Sequence, residues 1–227
     1  MTKSNFKYVS SNPINKKEGA LSAREQQILE SINWNARMER IWDIYLRREY
    51  VFDDIYLVTY GYRTILISQL CGGVFRYDNK KYRLIIEGKK IKLQKIKQPN
   101  NERIIYENGT FYPTEGDWLM QSCQARSRNR GYKCFTIYKN GDFEKIIIAD
   151  HQLQALFKYG AFALTTLGNG GNPNCVNHKD GDKYNNKSEN LEVISHKMNA
   201  RHYHDEIKHQ PPFVSKDVEA ILNPKIF

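Results

Sequence analysis

The chain has 227 residues, of which 40% are hydrophobic and 26% are charged, and this composition excludes a disordered or fibrous protein. With 35 Lys and Arg residues against 25 Asp and Glu residues, the net charge is +10, which favours a polyanionic partner such as nucleic acid. No apolar run reaches the ~18 residues of a bilayer span and the N-terminus has no apolar segment, so we expect a cytoplasmic protein without a membrane partner.

Polar residues 1–20 predict a flexible arm. Ser22, followed three residues later by Glu25, forms a capping box that predicts the start of a helix. A second helical pattern in ARMERIWDIYLRREY places apolar residues three or four positions apart, at Met38, Ile41, Trp42 and Tyr45. Helix packing explains this stripe better than a helix-turn-helix DNA reader, because nothing identifies a recognition helix.

Residues 51–70 are rich in β-branched and aromatic residues, but they have no clean period and their structure stays open. Residues 74–97 alternate as strands, with turns at Asp78-Asn79 and Glu87-Gly88. QPNNE, residues 98–102, is predicted to be a linker.

Basic residues are concentrated in the predicted strands between residues 76 and 97. Nine Lys and Arg residues against two acidic residues leave a local charge of +7. A surface that contacts phosphates explains this excess better than an ordinary charged sheet face. The predicted DNA contacts here are Lys89, Lys90 and Lys92.

Residues 104–150 carry further strand patterns, including a hairpin turn at Asn140-Gly141. A short helix is predicted from Asp150 and ends at Gly160. A basic run without acidic residues precedes the hairpin and is expected to contact phosphates; its members are Arg126, Arg128, Arg130 and Lys133.

The segment 175–204, CVNHKDGDKYNNKSENLEVISHKMNARHYH, is the most informative part of the sequence. Its pattern predicts a strand at 175–178, a polar loop at 179–190, a strand at 191–195 and a helix from about residue 196. Ser195 is expected to cap that helix. A hairpin with a helix folded back over it would bring the side chains of Asn177, His178 and Asn199 to one point.

This segment resembles the HNH nucleases, also called ββα-metal nucleases, and is closest to the phage-type HNH proteins that include homing endonucleases. The resemblance covers roughly residues 125–204, and Gln152 stands where the family often has Arg. It rests on an ordered set of residues: Asn177-His178, Asp180-Gly181, Asn185-Asn186, Asn190-Leu191-Glu192, Ser195 and Asn199.

The sequence patterns and the resemblance together predict an α+β fold in which N-terminal helices and basic β-hairpins are followed by a ββα-metal (HNH) nuclease domain. Residues 1–100 lie outside the resemblance, and their helices and hairpins are predicted from the residue patterns alone. The predicted organisation is a flexible arm, a DNA-recognition region, a nuclease domain and a C-terminal tail, at residues 1–20, 21–100, 101–210 and 211–227.

By this resemblance His178 is the general base, since an imidazole accepts a proton from water near neutral pH. Asn177 and Asn199 occupy the family's metal-ligand positions, and the implied cofactor is Mg²⁺, with Mn²⁺ also suitable. Asn190 is expected to tie the loop between the two strands and so hold His178. Four single cysteines and one C-x-x-H half-site, Cys175 with His178, give little support for zinc, and we expect free buried thiols.

The residue before the histidine is often Asp in the family, whereas here it is Asn177. Either the DNA phosphate supplies most of the charge around the metal, or Asp180 becomes a ligand; a weakened nuclease is the third interpretation. His151 either reaches the site or only packs. His202 either touches a phosphate or is only solvated, and Lys197 and Arg201 are expected phosphate contacts.

The leading hypothesis is a metal-dependent, site-specific endonuclease acting on double-stranded DNA, with a homing or restriction role. One site cuts one strand, so a monomer nicks and a homodimer can break both strands. The alternative is a DNA-binding protein that keeps the fold and has weak or lost cleavage. A basic RNA-binding domain is a third hypothesis, disfavoured by the absence of clear aromatic RNA-binding motifs.

Overall fold

The structure is a computed structural model, and it describes residues 21–60, 62–112, 114, 118–121, 123–124, 131–138, 145–168 and 173–208. The predicted arm, the C-terminal tail, the Asn140-Gly141 turn and the arginines at 126, 128 and 130 lie outside these residues. Within them the chain is mixed α+β and built on small antiparallel sheets.

Two helices begin the described chain, α1 (Ala23–Ser31) and α2 (Ala36–Leu46). The capping box predicted at α1 is confirmed: the amide of Glu25 donates to the Ser22 hydroxyl at 3.3 Å, and the amide of Ser22 donates to the Glu25 carboxylate at 3.0 Å. The apolar stripe of α2 is also confirmed, because all four of its predicted residues are buried. The helix ends at Leu46, however, and the RREY segment predicted as helix enters the first strand.

Eight strands follow before residue 112: β1 (Arg48–Phe52), β2 (Ile55–Tyr60), β3 (Arg63–Ser68), β4 (Val74–Asp78), β5 (Tyr82–Glu87), β6 (Lys90–Lys95), β7 (Gln98–Glu107) and β8 (Thr110–Phe111). Among the described residues after 112, six more strands follow: β9 (Met120–Gln121), β10 (Cys123–Gln124), β11 (Lys133–Tyr138), β12 (Lys145–Ala149), β13 (Asn174–His178) and β14 (Leu191–Ser195). They form sheets in the orders β1-β2-β3-β4-β9, β5-β6-β7-β8, β10-β11-β12 and β13-β14.

The five-stranded sheet is buried on both faces. Val58, Ile65 and Ile67 point into a core with the helices, whereas Leu57 and Leu66 point into a core with the four-stranded sheet. Strands covered on both sides carry apolar residues at successive positions, which removes the period of two. This burial explains why the sequence of residues 51–70 shows no clean pattern.

The predicted linker at residues 98–102 is wrong, because these residues open the ten-residue strand β7. β7 pairs along β6 with two register shifts, so a polar Pro99-Asn100 sequence sits in a bulged, exposed strand. The proposed domain boundary at 100/101 therefore lies inside a strand. The core beside α2 also combines residues from both sides of that boundary, including Ile41, Ile67 and Leu156.

Helix α3 (Asp150–Tyr159) connects the body of the protein to the β13-β14 hairpin. It begins where predicted and ends at Gly160, whose φ of 57° takes the backbone out of the helix. A 3₁₀ helix (Gly160–Thr166) follows, and helix α4 (His196–His202) continues into a π-helical turn (Tyr203–Ile207). None of the helices within the described ranges is both long and apolar enough to cross a bilayer.

Candidate active site

The hairpin and helix predicted for residues 175–204 are present. β13 and β14 are antiparallel, with Asn177 opposite Glu192 and His178 opposite Leu191. The Ser195 hydroxyl accepts a hydrogen bond from the amide of Met198 at 3.2 Å and caps α4, as predicted. Helix α4 packs against both strands, so its side chains are brought to the end of β13.

His178 is nearly sealed at the end of β13, with 6% of its surface exposed. Its Nε2 lies 2.9 Å from Asn186 Oδ1, and its ring is parallel to that of Tyr132, with the centroids 6.2 Å apart. Burial lowers the pKa of His178, and the hydrogen bond to Asn186 opposes this in part. The imidazole is therefore neutral at neutral pH. When Nε2–H donates to Asn186, Nδ1 keeps a lone pair that can accept a proton.

His151 lies at the start of α3 and packs edge-on against His178, with 5.3 Å between the ring centroids. Its ring also lies 4.5 Å from that of Tyr132. Burial, aided by the nearby His178, lowers the pKa of His151 to about 3. Of the two interpretations left open for His151, it is thus a neutral packing group that directly contacts the proposed base.

The loop between the strands is tied by Asn190, which agrees with the role predicted for this residue. Asn190 Nδ2 donates to Asp180 Oδ1 and to the carbonyl of Asn185, both at 2.8 Å, and Asn190 Oδ1 accepts from the amide of Asp180 at 3.1 Å. Asp180 also accepts from the amide of Asp182 at 2.9 Å and from Asn185 Nδ2 at 2.6 Å. Both of its carboxylate oxygens hold the loop, which disfavours Asp180 as a metal ligand.

Asn177 Nδ2 donates to Glu192 Oε1 at 2.8 Å and lies 3.3 Å from His202 Nδ1. These contacts use the nitrogen of the amide, so Oδ1 is the atom that remains for an ion or a water molecule. His202 Nε2 lies 3.1 Å from the carbonyl oxygen of Lys179, which makes His202 a link between α4 and the hairpin and not a merely solvated side chain.

Glu192 is the site residue that sequence reasoning missed. The motif includes it without assigning it a role, although antiparallel pairing of the two predicted strands places it opposite Asn177. The hairpin register was the signal that could have identified it. Its carboxylate accepts the hydrogen bond of Asn177 at 2.8 Å, so a negative charge lies across the hairpin from the position where the HNH family often has Asp.

The remaining predicted residues of α4 lie on or beside this face. Asn199 is partly buried and lies one helical turn before His202, so the two share a face of the helix. Lys197 and Arg201 are exposed on α4 and accessible to a polyanion. Lys133 is exposed on β11 and lines a cavity of about 170 Å³ beside Tyr184 and Asn186.

The three lysines predicted in the basic strands are not at this site. They lie in or beside the four-stranded sheet and are paired with acidic residues: Lys89 with Asp53 at 2.9 Å, Lys90 with Glu107 at 2.6 Å, and Lys92 with Glu87 at 2.9 Å and Glu102 at 3.4 Å. The local excess of +7 is therefore offset in part by the fold, because three of these four acids, Asp53, Glu102 and Glu107, lie outside the sequence window 76–97.

The side chains at this end of the hairpin carry oxygen donors, which are the kind of ligand that a hard divalent ion takes. Across the described part of the chain, no three His, Cys, Asp or Glu side chains are grouped so that they could hold a metal ion. Asn177 and Glu192, which are hydrogen-bonded across the hairpin, and Asn199, which shares a helix face with His202, instead carry oxygen atoms of the kind that suits Mg²⁺ when phosphate and water complete the coordination. The Cys175 thiol donates to the carbonyl of Ile194 at 3.6 Å, and Cys71 is exposed, so the expectation of buried thiols is wrong for Cys71.

Comparison of this chain with protein-family models, with curated proteins and with solved structures found no match in any of the three.

Proposed function

We propose that this protein is a metal-dependent DNA endonuclease of the HNH type, which hydrolyses phosphodiester bonds in double-stranded DNA. One observation carries the proposal: a neutral, hydrogen-bonded His178 ends a hairpin strand directly after Asn177, whose amide contacts both Glu192 and the helix packed on that hairpin. The net charge of +10 agrees with a polyanionic substrate.

In this proposal the imidazole of His178 accepts the proton of the attacking water at Nδ1, while Asn186 holds Nε2. Asn177, Glu192 and Asn199 are the residues that would hold Mg²⁺ or Mn²⁺, and the ion would supply positive charge to the phosphate as a Lewis acid. Lys197 and Arg201 bind neighbouring phosphates from the exposed side of α4.

The test is cleavage of supercoiled plasmid by wild type and by His178→Ala in Mg²⁺, in Mn²⁺ and in EDTA. Wild type is expected to give nicked circles with either metal, and the variant is expected to cut at least ~100-fold more slowly with unchanged DNA affinity. His196→Ala, which replaces an exposed histidine at the start of α4, is the matched control and should cut like wild type.

A second candidate function is DNA binding without cleavage. It is favoured by the nearly sealed imidazole and by the sparse carboxylates of the donor set described above. DNA that is saturated with wild-type protein yet stays supercoiled in both metals would establish this function instead. Equal cutting by wild type and His178→Ala would remove His178 from the mechanism.

A further inference from the structure

We propose that the turn between β3 and β4, residues 69–73, is a positioning element for the candidate base. It holds the backbone at Asn186, and through Asn186 it fixes the orientation of the His178 ring. This inference deepens the proposed function, since it concerns the same histidine, but the contacts that carry it lie in the five-stranded sheet and in α3.

The turn contacts the hairpin loop through backbone atoms. The carbonyl of Gln69 accepts a hydrogen bond from the amide of Ser188 at 3.0 Å. Gly72 lies directly against the peptide that joins Asn186 to Lys187: a Cβ added to it would lie 2.6 Å from the carbonyl oxygen of Asn186 and 2.5 Å from the nitrogen of Lys187. Only glycine permits this approach, and its φ of 69° also favours glycine.

Helix α3 holds the turn from its other side. Gln69 Nε2 donates to Gln154 Oε1 at 2.6 Å, and Gln154 Nε2 donates to the carbonyls of Ser68 and Gly73, both at 3.2 Å. Both glutamines are buried, so these bonds are shielded from water. The same helix carries His151, which packs on His178, and its Lys158 donates to the carbonyl of Leu191 at 3.0 Å.

These contacts surround Asn186, which is itself buried. Its side chain holds Nε2 of His178, and the partner of one ring nitrogen determines which nitrogen carries the proton. Hydrogen bonds weaken steeply with distance and angle, so a backbone displaced at Asn186 loses the bond. The β3-β4 turn therefore determines whether Nδ1 of His178 is presented with its lone pair.

The test asks whether the turn controls the contact between His178 and Asn186. It measures the titration midpoint of the His178 ring by NMR in metal-free protein. Asn186→Asp places a carboxylate at Nε2, which favours the imidazolium, so the titration midpoint should rise by ~1 pH unit or more. Asn101→Asp, on the exposed strand β7, adds the same charge elsewhere and should leave the midpoint unchanged.

The midpoint shift caused by Asn186→Asp is then measured in two glycine backgrounds. In Gly72→Ala the turn displaces the loop, so the shift should fall to less than half of its wild-type size. Gly88→Ala is the matched control, because Gly88 also has a positive φ, 57°, but no atom lies within 4 Å of an added Cβ. The full shift should persist in that background.

Ser188→Pro provides a second disruption should Gly72→Ala fail to fold. It removes the N–H that donates to Gln69, and Lys187, with φ −57° and ψ 138°, has a backbone suited to the residue before proline. A full midpoint shift in the folded Gly72→Ala or Ser188→Pro background overturns the proposal. A reduced shift in a folded background, with the full shift in Gly88→Ala, supports it.

Plasmid cleavage separates this inference from the proposed function. In an active enzyme, Gly72→Ala and Ser188→Pro should lower the single-turnover rate at least ~10-fold without changing DNA affinity, and Gly88→Ala should not. Wild-type rates in both turn variants would overturn the positioning role. A wild type that cuts nothing removes the nuclease function, yet the titration still decides whether the turn positions His178.

Discussion

Two regions of the protein are rich in polar side chains, the four-stranded sheet and the hairpin loop, and they differ in how these side chains are buried and paired. The lysines of the four-stranded sheet form ion pairs that are largely open to solvent, such as Lys89 with Asp53. The hairpin loop holds its amides and imidazole in a mostly buried network, in which Asn190 alone takes part in three hydrogen bonds. Both regions were predicted to serve DNA cleavage, one by binding the substrate and the other by cutting it.

The difference shows that a local charge count is a weaker guide than an ordered set of residue types. Strands that are distant in sequence supply counter-charges, so an excess over twenty residues can be cancelled by the fold. Exposed ion pairs contribute about 0–1 kcal/mol each. A buried polar group left without its partner costs about 1–3 kcal/mol, so the hairpin network is the region that tolerates least change.

Asn190→Ala tests this ranking most strongly. It removes three hydrogen bonds that hold the loop, so we expect a loss of about 3 kcal/mol in the free energy of unfolding, at roughly 1 kcal/mol per bond. Lys92→Ala in the sheet should cost less than about 1 kcal/mol. Urea unfolding of both variants measures the two losses, and equal losses would contradict the distinction between the regions.

Local patterns were enough to predict the elements whose signals are short-range. The capping box of α1, the buried stripe of α2, the end of α3 at Gly160 and the cap of α4 at Ser195 each depend on residues within one or two turns. β7 was missed because its pairing with β6, and not its own composition, makes it a strand. The strands around residues 51–70 stayed open because burial on both faces removes their alternation.

The residues of the candidate site also fall into two groups, those that local sequence patterns identify and those that only the tertiary fold brings together. Asn177, His178 and Asn190 were identified from their order in the chain, whereas Glu192 required the hairpin register. The contact of Gly72 with the peptide after Asn186 joins residues more than 100 positions apart, and no local pattern encodes it. The motif could be identified from the sequence, whereas the contacts that hold the motif in place could be seen only in the tertiary structure.

The buried histidines predict that the stability of the protein depends on pH, an effect that we do not expect from the lysines of the four-stranded sheet. The folded-state pKa of His151, about 3, lies below its unfolded value of about 6.5, so the unfolded chain binds the proton more readily between these values. Stability is therefore lost as the pH falls below 6.5. At pH 5 the loss from His151 is about 2 kcal/mol, from 1.5 pH units at ~1.4 kcal/mol each.

Urea unfolding at pH 7 and pH 5 measures that loss, and His151→Phe should remove most of it because the buried ring no longer titrates. His196→Phe, at an exposed position, is the control and should keep the wild-type dependence. An unchanged loss in His151→Phe would show that His151 is not the buried neutral group described here.

Asn177→Asp tests whether Glu192 provides the charge at the hairpin. The new carboxylate would face Glu192 across the strands, so we expect a loss of about 1 kcal/mol in EDTA and a gain in stability on addition of Mn²⁺. Asn174→Asp lies on the same strand beside Thr165 and should show no response to the metal. Thermal unfolding with and without Mn²⁺ gives both results, and a metal response shared by the two variants would count against a site at Glu192.

The smallest effect is expected from the sheet lysines, and it addresses the DNA partner directly. Each of Lys89, Lys90 and Lys92 already pairs with an acid, so replacing all three with Gln should weaken DNA binding less than ~3-fold. Replacing Lys197 and Arg201 with Gln should cost more. It should also lower the slope of log affinity against log salt by about 1.8, from two phosphates at ~0.9 each. Fluorescence anisotropy across a salt series measures both slopes. A larger slope change in the triple lysine variant than in the Lys197 and Arg201 variant would show that the sheet contacts DNA.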